Sequence, residues 1–111
     1  MTSIISLFKN DLYNLIDDLE SKKTIVDLNR SSLSIDYSSK SRQGDLSTNT
    51  LLILRKKNLD NNLNIDSYVS NFFKNLIYID KIEIAKAGFI NIFFKKILLI
   101  NDLKKLINNK N

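Results

Sequence analysis

The fold is decided by the stretch Ile82-Glu83-Ile84-Ala85-Lys86-Ala87-Gly88-Phe89-Ile90-Asn91-Ile92-Phe93-Phe94, which predicts two short paired strands joined at Gly88. Before the glycine, isoleucine alternates with charged residues, which is the pattern of a half-buried strand. After the glycine the alternation resumes, and it predicts two different faces for the second strand. These faces are Ile90, Ile92 and Phe94 on one side, and Phe89, Asn91 and Phe93 on the other. One face is apolar, while the other combines two aromatic rings with an amide.

The mixed face of the second strand has two interpretations. An aromatic ring can stack on an unstacked base, and an amide beside it can hydrogen-bond the base edge, so the face suits recognition of a loop nucleotide. Phe89 and Asn91 are then the binding residues. Alternatively, the strand belongs to the core and a neighbouring backbone group satisfies the Asn91 amide. The residues alone leave both interpretations open.

The composition fits one globular domain and excludes several kinds of chemistry. The chain has 111 residues, of which 43% are hydrophobic and 26% are charged, which is enough for a modest core. It has no cysteine and no histidine, so disulfides, thiol nucleophiles, imidazole bases and histidine zinc ligands are excluded. No apolar run is long enough to span a membrane, and the N-terminus does not resemble a secretory signal. We therefore expect a cytoplasmic protein without a membrane partner.

Positive charge is concentrated in two blocks. The formal net charge is +5, with +4 in residues 40–57 and +5 in residues 86–111, while residues 1–39 and 58–85 each carry −2. Each basic block contains one of the two glycines of the chain. This distribution is typical of a surface that binds a polyanion.

Apolar spacing predicts a first helix and a further strand before the first glycine. Apolar residues recur at helical spacing from Ile4 to Leu19. Carboxylates at the end of this segment oppose the helix dipole, so the helix is expected to fray after Leu19. Leu33, Ile35 and Tyr37 alternate with polar residues and predict a strand. A serine-rich basic loop is expected at residues 38–43.

Two further helices are predicted between the glycines. Asp45 or Ser47 is expected to cap a helix whose last turn carries Arg55–Lys57, where the dipole favours cations. Asp66 is expected to cap the next helix, which runs to Leu76.

The last predicted helix covers residues 98–107, and residues 108–111 are expected to be a disordered tail. The predicted order is thus helix, strand, helix, helix, strand, strand, helix. We therefore predict one α+β domain over residues 1–107, with helices packed on a small antiparallel β-sheet.

Two short motifs surround the two glycines. The first is Gly44-Asp45-Leu46-Ser47-Thr48-Asn49, and the second is Glu83-Ile84-Ala85-Lys86-Ala87-Gly88-Phe89-Ile90-Asn91-Ile92. In this order and at this distance they resemble the Gly-Asp-aromatic-Ala-Thr-Asn and Ala-Gly-Pro-Gly-Phe-Ile-Asn-Ile patterns of the N-terminal additional domain of arginyl-tRNA synthetases. This chain departs from the family at Gln43, where a histidine is usual, and at Lys86 and Ala87, which replace Gly-Pro. The resemblance extends from the first helix to the last.

The resemblance implies an α+β domain that docks on the outer corner of tRNA, with tRNA-Arg as the expected partner. In the family, the aromatic residue and the Asn of the second motif touch D-loop nucleotides, and the matching residues here are Phe89 and Asn91. Cations beside the motifs are expected to contact phosphates: Lys86, Lys95, Lys96, Arg55, Lys56 and Lys57. The remaining motif residues are expected to shape the structure: Gly44, Asp45, Thr48, Asn49 and Gly88.

In the family, this domain precedes a catalytic domain that uses ATP and Mg through a His-Ile-Gly-His-type motif. A chain without histidine has no such motif, so the resemblance implies that this chain alone holds no cofactor and does not aminoacylate tRNA. Three possibilities stay open. The chain is a tRNA-binding domain that is free-standing or works beside the catalytic part of a split synthetase, a protein–protein module that docks on a separate synthetase body, or a decayed fragment.

Overall fold

The computed structural model describes residues 2–37, 45–85 and 87–95. The α-helices of this part are α1 (Thr2–Ser21), α2 (Thr50–Lys57) and α3 (Ile65–Lys74), with a 3-10 turn at Arg30–Ser32. The strands are β1 (Ile35–Tyr37), β2 (Leu46–Thr48), β3 (Ile79–Ile84) and β4 (Ile90–Phe94). The helix predicted at 98–107, the tail at 108–111 and the loop at 38–43 lie outside the described residues.

The four strands form one antiparallel sheet in the order β1-β2-β4-β3. β3 and β4 are the predicted hairpin, and β2 pairs with the other edge of β4, where Ser47 lies opposite Asn91. β1 is the strand predicted from Leu33, although it begins at Ile35 because the 3-10 turn precedes it. The predicted α+β class with a small antiparallel sheet is confirmed.

The helices and the sheet share one apolar core, as the predicted apolar faces require. Its members include Phe8, Leu12, Leu15 and Ile16 of α1, Val69 and Phe73 of α3, and Ile90, Ile92 and Phe94 of β4. The rings of Phe8 and Phe73 lie 5.4 Å apart and join α1 to α3. Burying an aliphatic or phenyl side chain of this size contributes about 1.5–3 kcal/mol.

A buried hydrogen bond crosses this core. The Tyr78 hydroxyl donates to Asp11 Oδ2 at 2.6 Å, and both residues are buried. Burial, together with the neighbouring Asp11 carboxylate, raises the pKa of Tyr78 well above its usual value. The bond ties α1 to the segment that enters β3.

The predicted helix cap at Asp45 or Ser47 is wrong. Residues 46–48 form β2, and α2 begins only at Thr50, with Asn49 at the N-cap position. Pairing with Asn91 of β4 holds Ser47 in a strand, because the long-range ladder outweighs the local preference for a cap.

The cap predicted for α3 is displaced by two residues. Asn64 is the N-cap, and its side-chain oxygen accepts from the Ser67 N–H at 3.1 Å. Asp66 lies in the first turn instead, where a carboxylate is favourable beside the positive end of the helix dipole.

The fraying predicted after Leu19 is also wrong, since α1 continues to Ser21. Arg30 reaches back and donates to the carboxylates of Asp17 and Glu20, the latter at 2.8 Å. The hydrogen bond from Arg30 lowers the pKa of Glu20. A cation from the following loop therefore compensates the carboxylates that oppose the helix dipole.

Candidate nucleic-acid interface

The outer face of the sheet, opposite the helices, carries polar side chains around one aromatic ring. It consists of Asp36, Ser47, Asn91, Glu83, Lys81 and Phe93. The first four are cross-strand partners in successive strands, so their side chains project on the same side of the sheet. Buried residues alternate with half-buried ones along β4, which places Asn91 and Phe93 away from the core. The two faces predicted for this strand are confirmed for residues 90–94, whereas Phe89 precedes the strand.

Asn91 lies in the middle of the outer face with a free amide. Its side chain is half-buried and makes no hydrogen bond to any residue in the described part of the chain. The described residues therefore do not supply the backbone partner that the core interpretation requires. An amide in this state can offer a ligand both its N–H donors and its carbonyl acceptor.

Two phenylalanines flank this amide. Phe89 and Phe93 are half-buried, but neither belongs to the core nor packs against it among the described residues. The Lys81 ammonium lies 4.5 Å from the centroid of the Phe93 ring, within cation–π range. Phe93 therefore already has a partner, whereas Phe89 is the ring that remains for stacking on a base.

Gly88 brings the hairpin against the start of α2. Its φ is +93°, in a region that residues with a side chain rarely adopt. Its carbonyl accepts from the Leu52 N–H at 2.9 Å, and a Cβ at this position would lie 2.9 Å from the Leu52 Cα and N atoms. Only glycine permits this approach, and the contact fixes the residue that precedes Phe89.

Asp45 fastens β2 to β4. Its backbone N–H donates to the Ile92 carbonyl, and its Oδ2 accepts from the Phe94 N–H, both at 2.8 Å. The first motif is therefore attached directly to the strand of the second motif.

Thr48 and Asn49 shape the step from β2 into α2. Thr48 is fully buried, and its hydroxyl lies 2.7 Å from that of Thr50. The Asn49 side chain accepts from the Ser34 N–H at 2.7 Å and donates to the Ser32 carbonyl at 3.0 Å. Asn49 thus connects the segment before β1 to α2 rather than capping the helix.

The predicted phosphate contact Arg55 already has a protein partner. Its guanidinium forms a two-pronged pair with Asp66, with Nε and Nη2 at 2.9 and 2.7 Å from the two carboxylate oxygens. This hydrogen-bonded pair raises the pKa of Arg55 and lowers the pKa of Asp66. Lys56 and Lys57 are exposed at the end of the same helix.

Two of the described cations, Arg55 and Lys95, lie near opposite ends of α3. Arg55 pairs with Asp66 in the first turn of α3, whereas the N–H of the exposed Lys95 donates to the Tyr78 carbonyl, four residues beyond the helix end. A helix of 10 residues is about 15 Å long. The structure therefore does not bring Lys95 together with Lys56 and Lys57. Lys86, Lys96 and Gly44 lie outside the described residues.

Of the outer-face residues, only Asn91 was among the predicted site residues. Lys81 and Glu83 were predicted only as the polar side of a strand, and the antiparallel register sets them opposite Phe93 and Asn91. The alternation of residues 81–84 was the available signal, but it could not show which residues of β4 they would face.

Residues 2–37, 45–85 and 87–95 contain neither a metal-ligand cluster nor a membrane-spanning helix. No group of three or more metal-ligating side chains occurs there. No helix in these ranges has the length and hydropathy needed to cross a membrane.

The fold and the outer face define a small α+β domain with helices on one side of its sheet and polar side chains around the Phe93 ring on the other. Residues 3–94 match the family described as the arginyl tRNA synthetase N terminal domain. The chain belongs to this family, which confirms the resemblance and its context in translation.

Two relatives that are similar to this chain are both arginine–tRNA ligases. The chain is 35% identical to an arginine–tRNA ligase of Ehrlichia chaffeensis over 80% of its own length and 16% of the relative. It is 31% identical to an arginine–tRNA ligase of Mesoplasma florum over 99% of its own length and 18% of the relative. The chain thus spans less than one fifth of the length of these relatives.

Proposed function

We propose that this domain binds tRNA through the outer face and the adjacent Phe89, with the D-loop as the contacted region and tRNA-Arg as the partner. It would act as an accessory to the ligation of arginine to tRNA that the names of its relatives indicate. The catalytic step would belong to the part of the relatives that this chain does not match.

The observation that carries the proposal is the half-buried amide of Asn91, which has no hydrogen-bond partner among the described residues. It lies beside Phe89 and Phe93, which do not pack on the described core. A half-buried amide without a protein partner is unfavourable unless water or a ligand completes its hydrogen bonds. A D-loop base that stacks on Phe89 would bring its edge to Asn91 and complete them.

Cations would attract the phosphates of the RNA whatever its nucleotide sequence. Lys95 is exposed beyond the end of β4, and Lys81 lies on the outer face itself. Phosphate contacts of this kind position the RNA, while the base contacts select it. Stacking of one base contributes about 1–3 kcal/mol, so the isolated domain should bind weakly.

The test compares Phe89→Ala and Asn91→Ala with the parent chain on two RNAs, a tRNA-Arg transcript and the same transcript without its D-loop. Both variants should remain folded, lose affinity for the intact transcript, and bind the deleted transcript as the parent does. Asn14→Ala is the matched control, because Asn14 is an exposed asparagine on α1. Equal binding of the intact and deleted transcripts by the parent would contradict the proposal.

Thermal melts of the variants come before the binding comparison. Truncating a core phenylalanine costs about 3–5 kcal/mol, which would largely unfold a domain of this size. A Phe89→Ala variant that unfolds would show that Phe89 belongs to the core and would remove the stacking surface. A folded parent that ignores tRNA but binds a separately produced synthetase body would favour the protein–protein alternative.

A further inference from the structure

β3 is an edge strand of the sheet, because β4 is its only neighbour among the described residues. In a strand, the backbone groups of successive residues point to opposite sides in the plane of the sheet. The Ala85 N–H donates to the Phe89 carbonyl at 2.8 Å, so the odd-numbered residues 81–85 direct their backbone groups toward β4. Ile82 and Ile84 therefore direct their N–H and carbonyl groups away from β4, where no described strand pairs with them.

The side chains along this edge form two distinct rows. Ile82 and Ile84 lie on the inner face of the sheet, which packs against the helices, and Ile84 is 42% exposed although it is apolar. Lys81 and Glu83 lie on the outer face, and both side chains are more than half exposed. A second strand that paired with this edge would bury the exposed isoleucine and would meet one cation and one carboxylate.

The charges of this edge are self-complementary. In an antiparallel pair of two β3 strands with Ile82 opposite Ile82, Lys81 of each copy lies opposite Glu83 of the other. Opposite charges in directly facing positions stabilise a strand pair, whereas like charges destabilise it. A shift of two residues in either direction would place Glu83 opposite Glu83 or Lys81 opposite Lys81. A shift of one residue would join the inner face of one copy to the outer face of the other, so only the first register satisfies both rows.

We propose that the free edge of β3 is a self-association surface whose partner is a second copy of this chain. The twofold axis passes beside Ile82, and the two Ile82 residues exchange both of their backbone N–H···O hydrogen bonds. Ile82 and Ile84 of both copies form one apolar row on the inner face, and two Lys81–Glu83 pairs cross the outer face. The dimer is closed, because each copy uses its β3 edge once in a symmetric contact.

The contact is short, because the register shift between Ile79 and Lys81 interrupts regular pairing at the start of β3. We therefore expect weak association. The added strand extends the sheet in its own plane and leaves both outer faces open. The dimer thus does not depend on the proposed RNA binding, and either proposal can fail without the other.

The register is tested by disulfide cross-linking, for which the chain is suited because it has no cysteine. Ile82→Cys should yield a disulfide-linked dimer on mild oxidation, since facing residues of a hydrogen-bonded pair have Cα atoms about 5.5 Å apart, within disulfide reach. Ile84→Cys is the matched control from the same face of the same strand. In this register its Cα lies about 14 Å from that of its counterpart, so it should stay monomeric. Equal yields from both variants, or a higher yield from Ile84→Cys, would overturn the register.

The charge pairing is tested by sedimentation equilibrium of the whole chain at concentrations up to about 1 mM, because a short contact gives weak association. The parent should form a dimer as the concentration rises. Glu83→Lys and Lys81→Glu each place like charges opposite one another twice, and each should weaken association about tenfold. An equimolar mixture of these two variants should associate about as well as the parent, because every Lys again faces a Glu.

Asp36→Lys is the matched control, because it changes the net charge of the outer face as much as Glu83→Lys does, but on β1 at the opposite edge of the sheet. It should associate as the parent does, and an equal loss in this variant would overturn the charge pairing. A mixture that associates no better than its two components would overturn it as well. A parent that stays monomeric at the highest concentration and gives no cross-linked Ile82→Cys dimer would refute the self-association surface and leave the proposed RNA binding intact.

Discussion

Replacing Gly88 by alanine is expected to lower the free energy of unfolding by about 2–5 kcal/mol. A residue with a Cβ at a φ of +93° costs about 1–2 kcal/mol. The new Cβ would also lie 2.9 Å from two backbone atoms of Leu52, which cannot rotate away as a side-chain end could. Relieving such overpacking costs about 1–3 kcal/mol. A domain with a total stability of about 5–15 kcal/mol would lose a large part of it.

The assay is urea denaturation followed by far-ultraviolet circular dichroism, because the chain has no tryptophan. Ala87→Ser is the matched control at the exposed neighbouring position, and its effect should stay within about 0.5 kcal/mol. Gly88→Asn separates the two causes, since asparagine tolerates a positive φ better than alanine but carries the same Cβ. A Gly88→Ala variant that unfolds at the urea concentration of the parent would refute the close contact between the hairpin and α2.

Four further outcomes are expected. Stability of the parent should fall as the pH rises above about 10, because the raised pKa keeps Tyr78 protonated in the folded chain while an unfolded tyrosine ionises there. Tyr78→Phe should reduce this alkaline loss in pH-dependent melts. At pH 7 this variant should be less stable than the parent, because the buried hydrogen bond from the Tyr78 hydroxyl to Asp11 is lost. Asp45→Ala should cost about 1–3 kcal/mol in urea denaturation by leaving the Phe94 N–H without its acceptor, and Asp45→Asn should cost less. Lys95→Ala should weaken binding of all RNAs alike and should reduce the slope of log affinity for tRNA against log salt concentration. An unchanged slope would mean that Lys95 contacts only solvent. The purified 111-residue chain should show no arginine-dependent exchange between ATP and pyrophosphate, and exchange above background would contradict this.

The sequence by itself determined the features that depend on local periodicity. The two faces of β4 follow from the alternation of residues 90–94, and the apolar stripes of α1 and α3 follow from helical spacing. The place of Gly88 in the hairpin was also visible, because a glycine between two alternating runs indicates a turn. These features need only the residue and its near neighbours.

Tertiary structure alone decided the features that join distant parts of the chain. β2 is three residues long and looks like the start of a helix, and it becomes a strand only because β4, more than forty residues away, offers a free edge. Arg55 looked available for phosphate until α3 placed Asp66 beside it. Glu83 became a neighbour of Asn91 only through the antiparallel register. Such pairings depend on the packing of the whole core, and local residue preferences, which differ by about 1 kcal/mol or less, cannot specify them.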